Sequence, residues 1–286
     1  LLDADLPENL PELRAITRNL YSADPETRLR QEIVLGKGGV RLLRALGIRP
    51  SVYHLNEGHA AFAGLERIAD LVANEGLTFD EALALVRATT LFTTHTPIGA
   101  GHDRFDADLM RRYFSDVASW IGVPWERFYA LGQKPDDPVP FNMTGLALRQ
   151  ASAANAVSRL HADVTRELLA SFWPRLLLDD VPIRPVTNGV HLATWSHPDV
   201  ARLLGVQGRA ARGEDYARGA DTVEDGPLWR FRGEARQRLL EAAAARLQAE
   251  FYTRRDSPRL LSEMQSGLVP GALYVGFARR FAPYKR

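Results

Sequence analysis

The sequence predicts an α/β fold with parallel strands, and two observations support this prediction. Short apolar runs typical of strands alternate with longer segments of helical periodicity along the chain. Because a helical crossover returns the chain to the same edge of a sheet, this alternation favours parallel pairing. The 286 residues are 45% hydrophobic and 25% charged, as in a globular protein with a core large enough for about two domains.

Charge and composition exclude several functional classes. The 36 basic and 35 acidic residues give a net charge of +1, so no overall field recruits nucleic acid or an anionic membrane. The absence of cysteine excludes disulfides, thiolate metal sites and a cysteine nucleophile. Since no apolar run reaches the roughly 20 residues that span a bilayer and the start lacks signal-peptide features, we expect a cytoplasmic protein. The chain starts without Met, and we expect it to be a piece of a longer protein.

The first long helix is predicted over residues 25–46, where apolar positions recur at three- and four-residue spacings up to Gly47. It contains the sequence Gly-Lys-Gly-Gly at 36–39, which superficially resembles a phosphate loop. That sequence lacks the Gly-Lys-Ser/Thr ending and lies within helical periodicity. We therefore favour a helix that packs closely at glycine.

Alternating strands and helices follow this first helix. The elements predicted up to residue 121 are a strand at 51–55, a helix at 60–73, a helix capped by Thr78 or Asp80, a strand at 89–94, a polar loop at 95–103 and a helical region at 107–121. Beyond it we predict a long Ala-rich helical region at 143–173 with a break near Ser152, a strand at 183–186, a mobile surface loop at 208–226, a helix at 228–251 and a buried strand at 272–277.

Polar clusters follow four of these strands. They occupy residues 56–59, 95–103, 187–189 and 279–285. In open α/β sheets ligands bind outside the carboxyl ends of the strands, so we expect the four clusters to form one site.

Local reasoning leaves two interpretations for each cluster. Arg280, Tyr284 and Lys285 suit a phosphate or another anion, and they equally fit a solvated basic turn. His95, which Pro97 keeps extended, can bind sugar hydroxyls, act as an acid or base, or serve structurally. With His102 it has no nearby third ligand, so we expect no metal site.

The remaining polar candidates are equally open. Glu57 and Asp103 fit a carboxylate pair of the glycosidase kind, or two solvent-facing acids. Asn188 precedes Gly189 after a strand, where asparagine is common simply because it tolerates turn conformations.

Six stretches of the sequence are similar, in the same order, to one known family. They lie at residues 53–62, 92–97, 100–103, 155–161, 186–191 and 280–286, and include Phe-Thr-Thr-His-Thr-Pro and Val-Thr-Asn-Gly-Val-His. On these stretches the chain resembles the α-glucan (glycogen, starch or maltodextrin) phosphorylases. Ala282 and Pro283, at positions where many members have His-Glu, resemble the bacterial type.

The resemblance implies a glycosyltransferase fold of the GT-B type, built from two Rossmann-like domains with parallel sheets. Residues 1–193 correspond to the C-terminal part of the first domain, and residues 194–286 to the beginning of the second, cofactor-binding domain. It also implies phosphorolysis of terminal α-1,4-linked glucose by inorganic phosphate, giving α-D-glucose 1-phosphate with retention, in a homodimer. The family cofactor is pyridoxal 5′-phosphate, bound to a lysine whose motif matches none of Lys37, Lys134 and Lys285. We therefore expect no cofactor-binding residue in this segment and no activity from it alone.

The resemblance also implies roles for eight residues. His95 faces the glucosyl unit with a positional and electrostatic role, and Arg280 and Lys285 bind the substrate phosphate. The sugar-binding residues are Tyr284 and Asn188, which contact hydroxyl groups, with Glu57, His59 and Asp103 near the glucose pocket. Glu57 replaces the usual Asp of the family, and Asp103 replaces a frequent Glu.

Two other functions are compatible with the sequence. A nucleotide-sugar-dependent glucan synthase has the same two-domain architecture and also needs an Arg-Lys pair, for its diphosphate leaving group. A catalytically silent carbohydrate-binding segment is the second alternative.

Overall fold

The computed structural model describes residues 2–206, 213–254 and 257–278. The chain divides into two compact units, Leu1–Asn188 and Gly189–Arg286, and each is described by itself. The assignment of residues 1–193 and 194–286 to two Rossmann-like domains stays a prediction.

The first unit alternates helices and strands. Its helices are α1 (Pro11–Arg14), α2 (Pro25–Ile33), α3 (Gly39–Ala45), α4 (Phe62–Glu75), α5 (Phe79–Ala88), α6 (Ala107–Phe114), α7 (Val117–Ile121), α8 (Trp125–Ala130), α9 (Met143–Arg149) and α10 (Arg159–Leu169). Its strands are β1 (Tyr53–Asn56), β2 (Thr90–Thr94), β3 (Arg104–Phe105), β4 (Phe141–Asn142), β5 (Ala153–Ala156) and β6 (Ile183–Pro185). Thr78, one of the two predicted caps, forms a capping box with Glu81 at the start of α5.

A four-stranded sheet with the order β1-β2-β5-β6 organises this unit, and all its pairs are parallel. The predicted α/β class with parallel strands is therefore confirmed. A separate antiparallel pair joins β3 to β4. Because parallel strands end at the same edge, the segments after β1, β2, β5 and β6 all leave the sheet on one side.

The prediction of helix over residues 143–173 is wrong at β5. This strand lies inside the sheet between β2 and β6, and its main chain is paired on both sides. Its sequence, Ala-Ala-Asn-Ala, has no apolar alternation and no β-branched residue, so the local pattern favours helix. Sheet pairing overrides that preference. The hydroxyl of Thr93 also donates to Asn155 Oδ1 across the β2-β5 pair, at 2.6 Å.

The core contains a row of aromatic rings from three helices and one strand of the antiparallel pair. Phe62 on α4, Phe114 on α6, Phe128 on α8 and Phe141 on β4 are fully buried. Successive ring centroids along this row lie 5.0, 5.2 and 5.3 Å apart, within the range of favourable aromatic packing. The row joins elements that are far apart in the sequence, and so fixes α4 and the β1 loop that precedes it.

The predicted helix over residues 25–46 is confirmed, with a π-helical turn at Val34–Gly38 between α2 and α3. Gly36 lies in that turn and packs directly on α4. A Cβ atom on Gly36 would lie 2.7 Å from the Ala63 nitrogen and 2.7 Å from the Phe62 Cβ. Close packing at glycine, rather than a phosphate loop, therefore explains this part of the sequence.

The second unit is helical in its described part. Its helices are α11 (Leu192–Trp195), α12 (Pro198–Leu203), α13 (Gly213–Thr222), α14 (Asp225–Arg254) and α15 (Pro258–Ser266). The predicted helix at 228–251 is thus confirmed. Across the described residues of both units, no helix combines the length and hydrophobicity needed to cross a bilayer.

Two predictions for the second unit are wrong. Most of the predicted loop at 208–226 is helical as α13, which has Glu214 and Asp215 in its first turn and packs Gly219 against Leu204. Residues 272–277 form no strand, and Leu273 and Val275 are 87% and 86% exposed. The described residues of this unit offer no strand for pairing, and an unpaired strand leaves its backbone groups unsatisfied.

Replacing Gly36 with alanine tests the contact between the π-helical turn and α4. The new methyl group would collide with backbone atoms of α4, so we expect the free energy of unfolding to fall by about 1–3 kcal/mol in urea denaturation. Gly39→Ala is the matched control, because its Cβ would meet nothing within 4 Å. That control is expected to raise stability by up to about 1 kcal/mol through better helix propensity. Equal stability of the two variants would contradict the close contact.

Candidate active site at the sheet edge

The candidate site begins where β1 ends, at Glu57. This residue has φ 70° and ψ 169°, a conformation that is strained for any residue other than glycine. The next residue, Gly58, lies so close to α9 that a Cβ would be 2.9 Å from the Met143 carbonyl carbon and the Thr144 nitrogen. The tight approach to α9 forces the sharp turn, and the turn directs the Glu57 carboxylate towards the end of β2.

The Glu57 carboxylate holds the start of the 95–103 loop, which follows β2. Oε1 accepts hydrogen bonds from the main-chain N–H of His95 at 2.5 Å and from the Thr96 hydroxyl at 3.0 Å. Oε2 accepts from the Thr94 hydroxyl at 3.4 Å. Charge-assisted bonds of this kind are stronger than neutral ones, so one carboxylate fixes three consecutive residues. Two predicted site residues, Glu57 and His95, are thereby brought together.

The imidazole of His95 is fixed as well. Its Nε2 lies 2.7 Å from Asn56 Oδ1. An amide oxygen only accepts hydrogen bonds, so Nε2 carries the proton in this arrangement. Both the main chain and the ring of His95 are therefore held by the loop after β1, and His95 is exposed at the sheet edge.

The far end of the 95–103 loop is anchored in two places. His102 is buried, and its Nδ1 lies 2.5 Å from the Thr144 hydroxyl. The Asp103 carboxylate accepts two hydrogen bonds from the guanidinium of Arg28 on α2, at 3.2 and 2.7 Å. The loop is thus held at both ends by side chains of other elements.

His59 lies beside this second anchor. Burial lowers the pKa of His59 below its ordinary value of 6.5, and the positive charge of Arg28 lowers it further. The carboxylates of Asp103 and Glu57 act in the opposite direction. The pKa of His59 therefore depends on charges at both ends of the 95–103 loop.

Asn188 follows β6 at the same edge of the sheet. Its main-chain N–H donates to the Val157 carbonyl beyond β5, at 3.2 Å, and the residue is exposed. Arg280, Tyr284 and Lys285, the predicted phosphate and sugar ligands, lie outside the described residues.

A cavity of about 280 Å³ is lined in part by the 95–103 loop. Gly99, Ala100 and His102 line it from the loop, and Leu168 and Leu169 line it from α10. Within the described residues, Glu57, His95 and Asn188 are not among those that line this cavity. Glu57, His95 and Asn188 therefore lie at the sheet edge rather than in this cavity.

The sequence does not indicate which residues hold the predicted site residues in place. Arg28 lies 75 residues before Asp103, and Thr144 lies 42 residues after His102. Neither has a local signal, because Arg28 looks like an ordinary helix-surface residue and Thr144 like part of an Ala-rich helix. Asn56 was recognised only as part of the loop.

Removal of the Glu57 carboxylate tests whether it holds the 95–103 loop. Glu57→Ala leaves the His95 N–H and two threonine hydroxyls without their acceptor, and we expect a loss of about 1–3 kcal/mol in the free energy of unfolding. Glu75→Ala, at the exposed end of α4, is the control and is expected to stay within about 0.5 kcal/mol. A Glu57→Ala variant as stable as this control would exclude the anchoring role.

Two histidines, His102 buried and His59 partly buried, predict acid sensitivity. Burial lowers the pKa of both His102 and His59 below 6.5, so the folded chain binds fewer protons than the unfolded chain in mildly acidic solution. The free energy of unfolding is therefore expected to fall as pH falls below 6.5 and through the folded-state pKa values. Urea denaturation at several pH values checks this, and His102→Gln should lose less stability on acidification than the parent. An equal or steeper loss in His102→Gln would contradict the assignment.

Comparison with known proteins shows that the whole chain is similar to glycogen and maltodextrin phosphorylases. It is 43% identical over 303 residues to a glycogen phosphorylase from Mycobacterium tuberculosis and 43% identical over 295 residues to a maltodextrin phosphorylase from Thermococcus litoralis. A glycogen phosphorylase from Aquifex aeolicus is 35% identical over 297 residues. Each match covers 100% of this chain but only 34%, 34% and 42% of the relative, respectively.

No family model matches the chain. The three relatives nevertheless match it from end to end at 35–43% identity, and the parallel α/β sheet agrees with the GT-B type that the resemblance implies. Along all 286 residues, the chain is thus homologous to a segment of the α-glucan phosphorylases, about a third of their length.

Proposed function

We propose that a protein containing this chain is an α-1,4-glucan phosphorylase. It removes the terminal α-1,4-linked glucose of glycogen or maltodextrin with inorganic phosphate and releases α-D-glucose 1-phosphate with retention. The observation that carries the proposal is end-to-end similarity to phosphorylases, in a chain where three of the polar clusters follow the ends of parallel strands.

In this proposal the sheet edge is the sugar side of the active site. Asn188 binds a sugar hydroxyl, and His95 faces the glucosyl unit. The Nε2 proton of His95 is already engaged by Asn56 Oδ1, and its main chain is engaged by Glu57. A ring and main chain held in this way suit the positional and electrostatic role that the resemblance implies for His95.

The phosphate side of the site is assigned to Arg280 and Lys285, with Tyr284 on the sugar hydroxyls. Transfer through an oxocarbenium-like transition state needs dipolar groups near the anomeric carbon and cations that hold the incoming phosphate in line. A guanidinium and an ammonium supply those cations. Oriented polar groups such as His95, held in advance by Glu57, supply the dipoles without reorganising during the reaction.

The described lysines do not fit the pyridoxal phosphate that the resemblance implies. Lys37 Nζ is covered by aromatic rings, 3.7 Å from the centroid of Trp120 and 5.5 Å from that of Phe114. Lys134 Nζ contacts both carboxylate oxygens of Asp136 at 2.5 Å. We propose that the cofactor is bound by a part of the protein outside this chain, and that the 286-residue chain alone is inactive. We also propose a cytoplasmic homo-oligomer without nucleic-acid or membrane partners.

An assay of the complete protein tests the proposed reaction. We expect glucose 1-phosphate to form from maltodextrin and inorganic phosphate without any nucleotide sugar. The isolated 286-residue chain should form none, and should show no aldimine absorbance after addition of pyridoxal phosphate. Glucan extension that requires a nucleotide sugar would instead identify a synthase. Absence of both activities in the complete, cofactor-loaded protein would favour a silent carbohydrate-binding protein.

A further inference from the structure

A buried acidic residue, Glu32 on α2, lies next to the anchor of the 95–103 loop. It is only 1% exposed, although it carries an ionisable group. Neither of its carboxylate oxygens has a hydrogen-bond partner of good geometry within the described residues. Buried acids are rare without a partner that compensates for lost hydration, so Glu32 needs a physical explanation.

Arg28 joins Glu32 to Asp103. The Arg28 Nε lies 3.0 Å from Glu32 Oε1, one helical turn away, and the same guanidinium binds both oxygens of Asp103. The Arg28 side chain is itself largely buried, at 13% exposure, and its guanidinium lies 5.0 Å from the centroid of the Tyr21 ring. We call these three residues, Arg28, Glu32 and Asp103, the Arg28 cluster.

The charges of the Arg28 cluster balance only if one acid is neutral. Two carboxylates and one guanidinium would leave a net negative charge in a largely buried place, which is costly. Burial raises the pKa of Glu32 well above its ordinary value, and the negative charge of Asp103 raises it further. Asp103 accepts both guanidinium bonds, and Glu32 as the neutral acid can donate its proton towards Asp103, a contact that contributes to the raised pKa of Glu32.

The cluster is connected to the candidate site through the 95–103 loop. Asp103 ends that loop, and its main-chain carbonyl accepts from the Met143 N–H at 3.1 Å. The charged and titratable groups that act on His59 are Arg28, Asp103, Glu57 and His95, from both ends of the loop. A displacement of the Asp103 side chain would therefore change the pKa of His59 and the position of the loop that carries His95.

We propose that Arg28 and Glu32 are positioning residues for substrate binding, which hold the Asp103 carboxylate and the far end of the 95–103 loop in their binding arrangement. This inference rests on the proposed phosphorylase function for its effect on substrate. Glu32 acts as a neutral hydrogen-bond donor in this arrangement, and Arg28 acts through its planar pair of donors. Glu57 holds the near end of the same loop, so the cluster completes a clamp at both ends.

Two substitutions at Glu32 separate positioning by a neutral donor from simple space filling. Glu32→Gln keeps a neutral donor of the same shape, whereas Glu32→Ala removes the donor. In the complete protein we expect Glu32→Ala to raise the KM for maltodextrin about fivefold to tenfold, the effect of one lost hydrogen bond, with kcat changed less than about twofold. Glu32→Gln is expected to stay within about twofold of the parent in both constants.

Arg28→Lys provides a second variant in case Glu32→Ala fails to fold. Lysine keeps the charge but cannot form the paired bonds to Asp103, so KM is again expected to rise. Arg30→Lys is the matched control, because Arg30 lies on the same helix and forms an ion pair with Glu26 at the same four-residue spacing, 2.8 Å long. A KM increase of equal size in Arg30→Lys would overturn the specific role of Arg28.

NMR titration of the His59 imidazole in the 286-residue chain tests the clamp without any activity. We expect Glu32→Ala to shift the His59 pKa, because Asp103 and Arg28 lose their fixed places, and Glu32→Gln and Arg30→Lys to leave it unchanged. If the complete parent protein has no phosphorylase activity, the proposed function is wrong, but the His59 titration still tests the positioning role. An unchanged His59 titration in Glu32→Ala, or equal damage in Glu32→Gln, would overturn the positioning role.

Discussion

The arrangement at the sheet edge depends on the carboxylate of Glu57. This residue leaves β1 in a conformation that normally requires glycine, and its oxygens bind the main-chain N–H of His95 and the hydroxyls of Thr94 and Thr96 at the end of β2. Backbone strain of this kind costs on the order of 1–3 kcal/mol and persists only where surrounding contacts determine it. Here the contacts are the close approach of Gly58 to α9 and the hydrogen bonds that Glu57 accepts. These contacts hold the strained turn in place, and the turn fixes the position of His95.

Contacts with other elements hold the whole 95–103 loop in place in the same way. Loops between strands and helices are usually the mobile part of an α/β fold, yet ligand-binding groups have to be held in place before the ligand arrives. This chain resolves the conflict with anchors at both loop ends, Glu57 on one side and Thr144 with Arg28 on the other. The segment between the anchors contains a short 3-10 turn at Gly99–Gly101, and none of its residues is buried.

The sequence was sufficient for those parts of the fold whose own periodicity agrees with their final structure. The helix over residues 25–46 and the strands before the two loops belong to this class. β5 does not, because Ala-Ala-Asn-Ala becomes a strand only through its two neighbours, and residues 272–277 do not, because an apolar run becomes a strand only if a partner is present. At the site, resemblance pointed to Glu57 and His95, whereas Arg28 and Glu32 look like an ordinary surface ion pair until the fold brings Asp103 to them.

The most direct test of this account is a crystal structure of the complete protein with a maltodextrin and inorganic phosphate bound. A glucosyl unit is expected within hydrogen-bonding distance of His95 and Asn188 at the sheet edge. The phosphate is expected next to the same sugar ring, bound to Arg280 and Lys285. A sugar bound away from this edge, or an Arg280 guanidinium on a surface remote from His95, would contradict it.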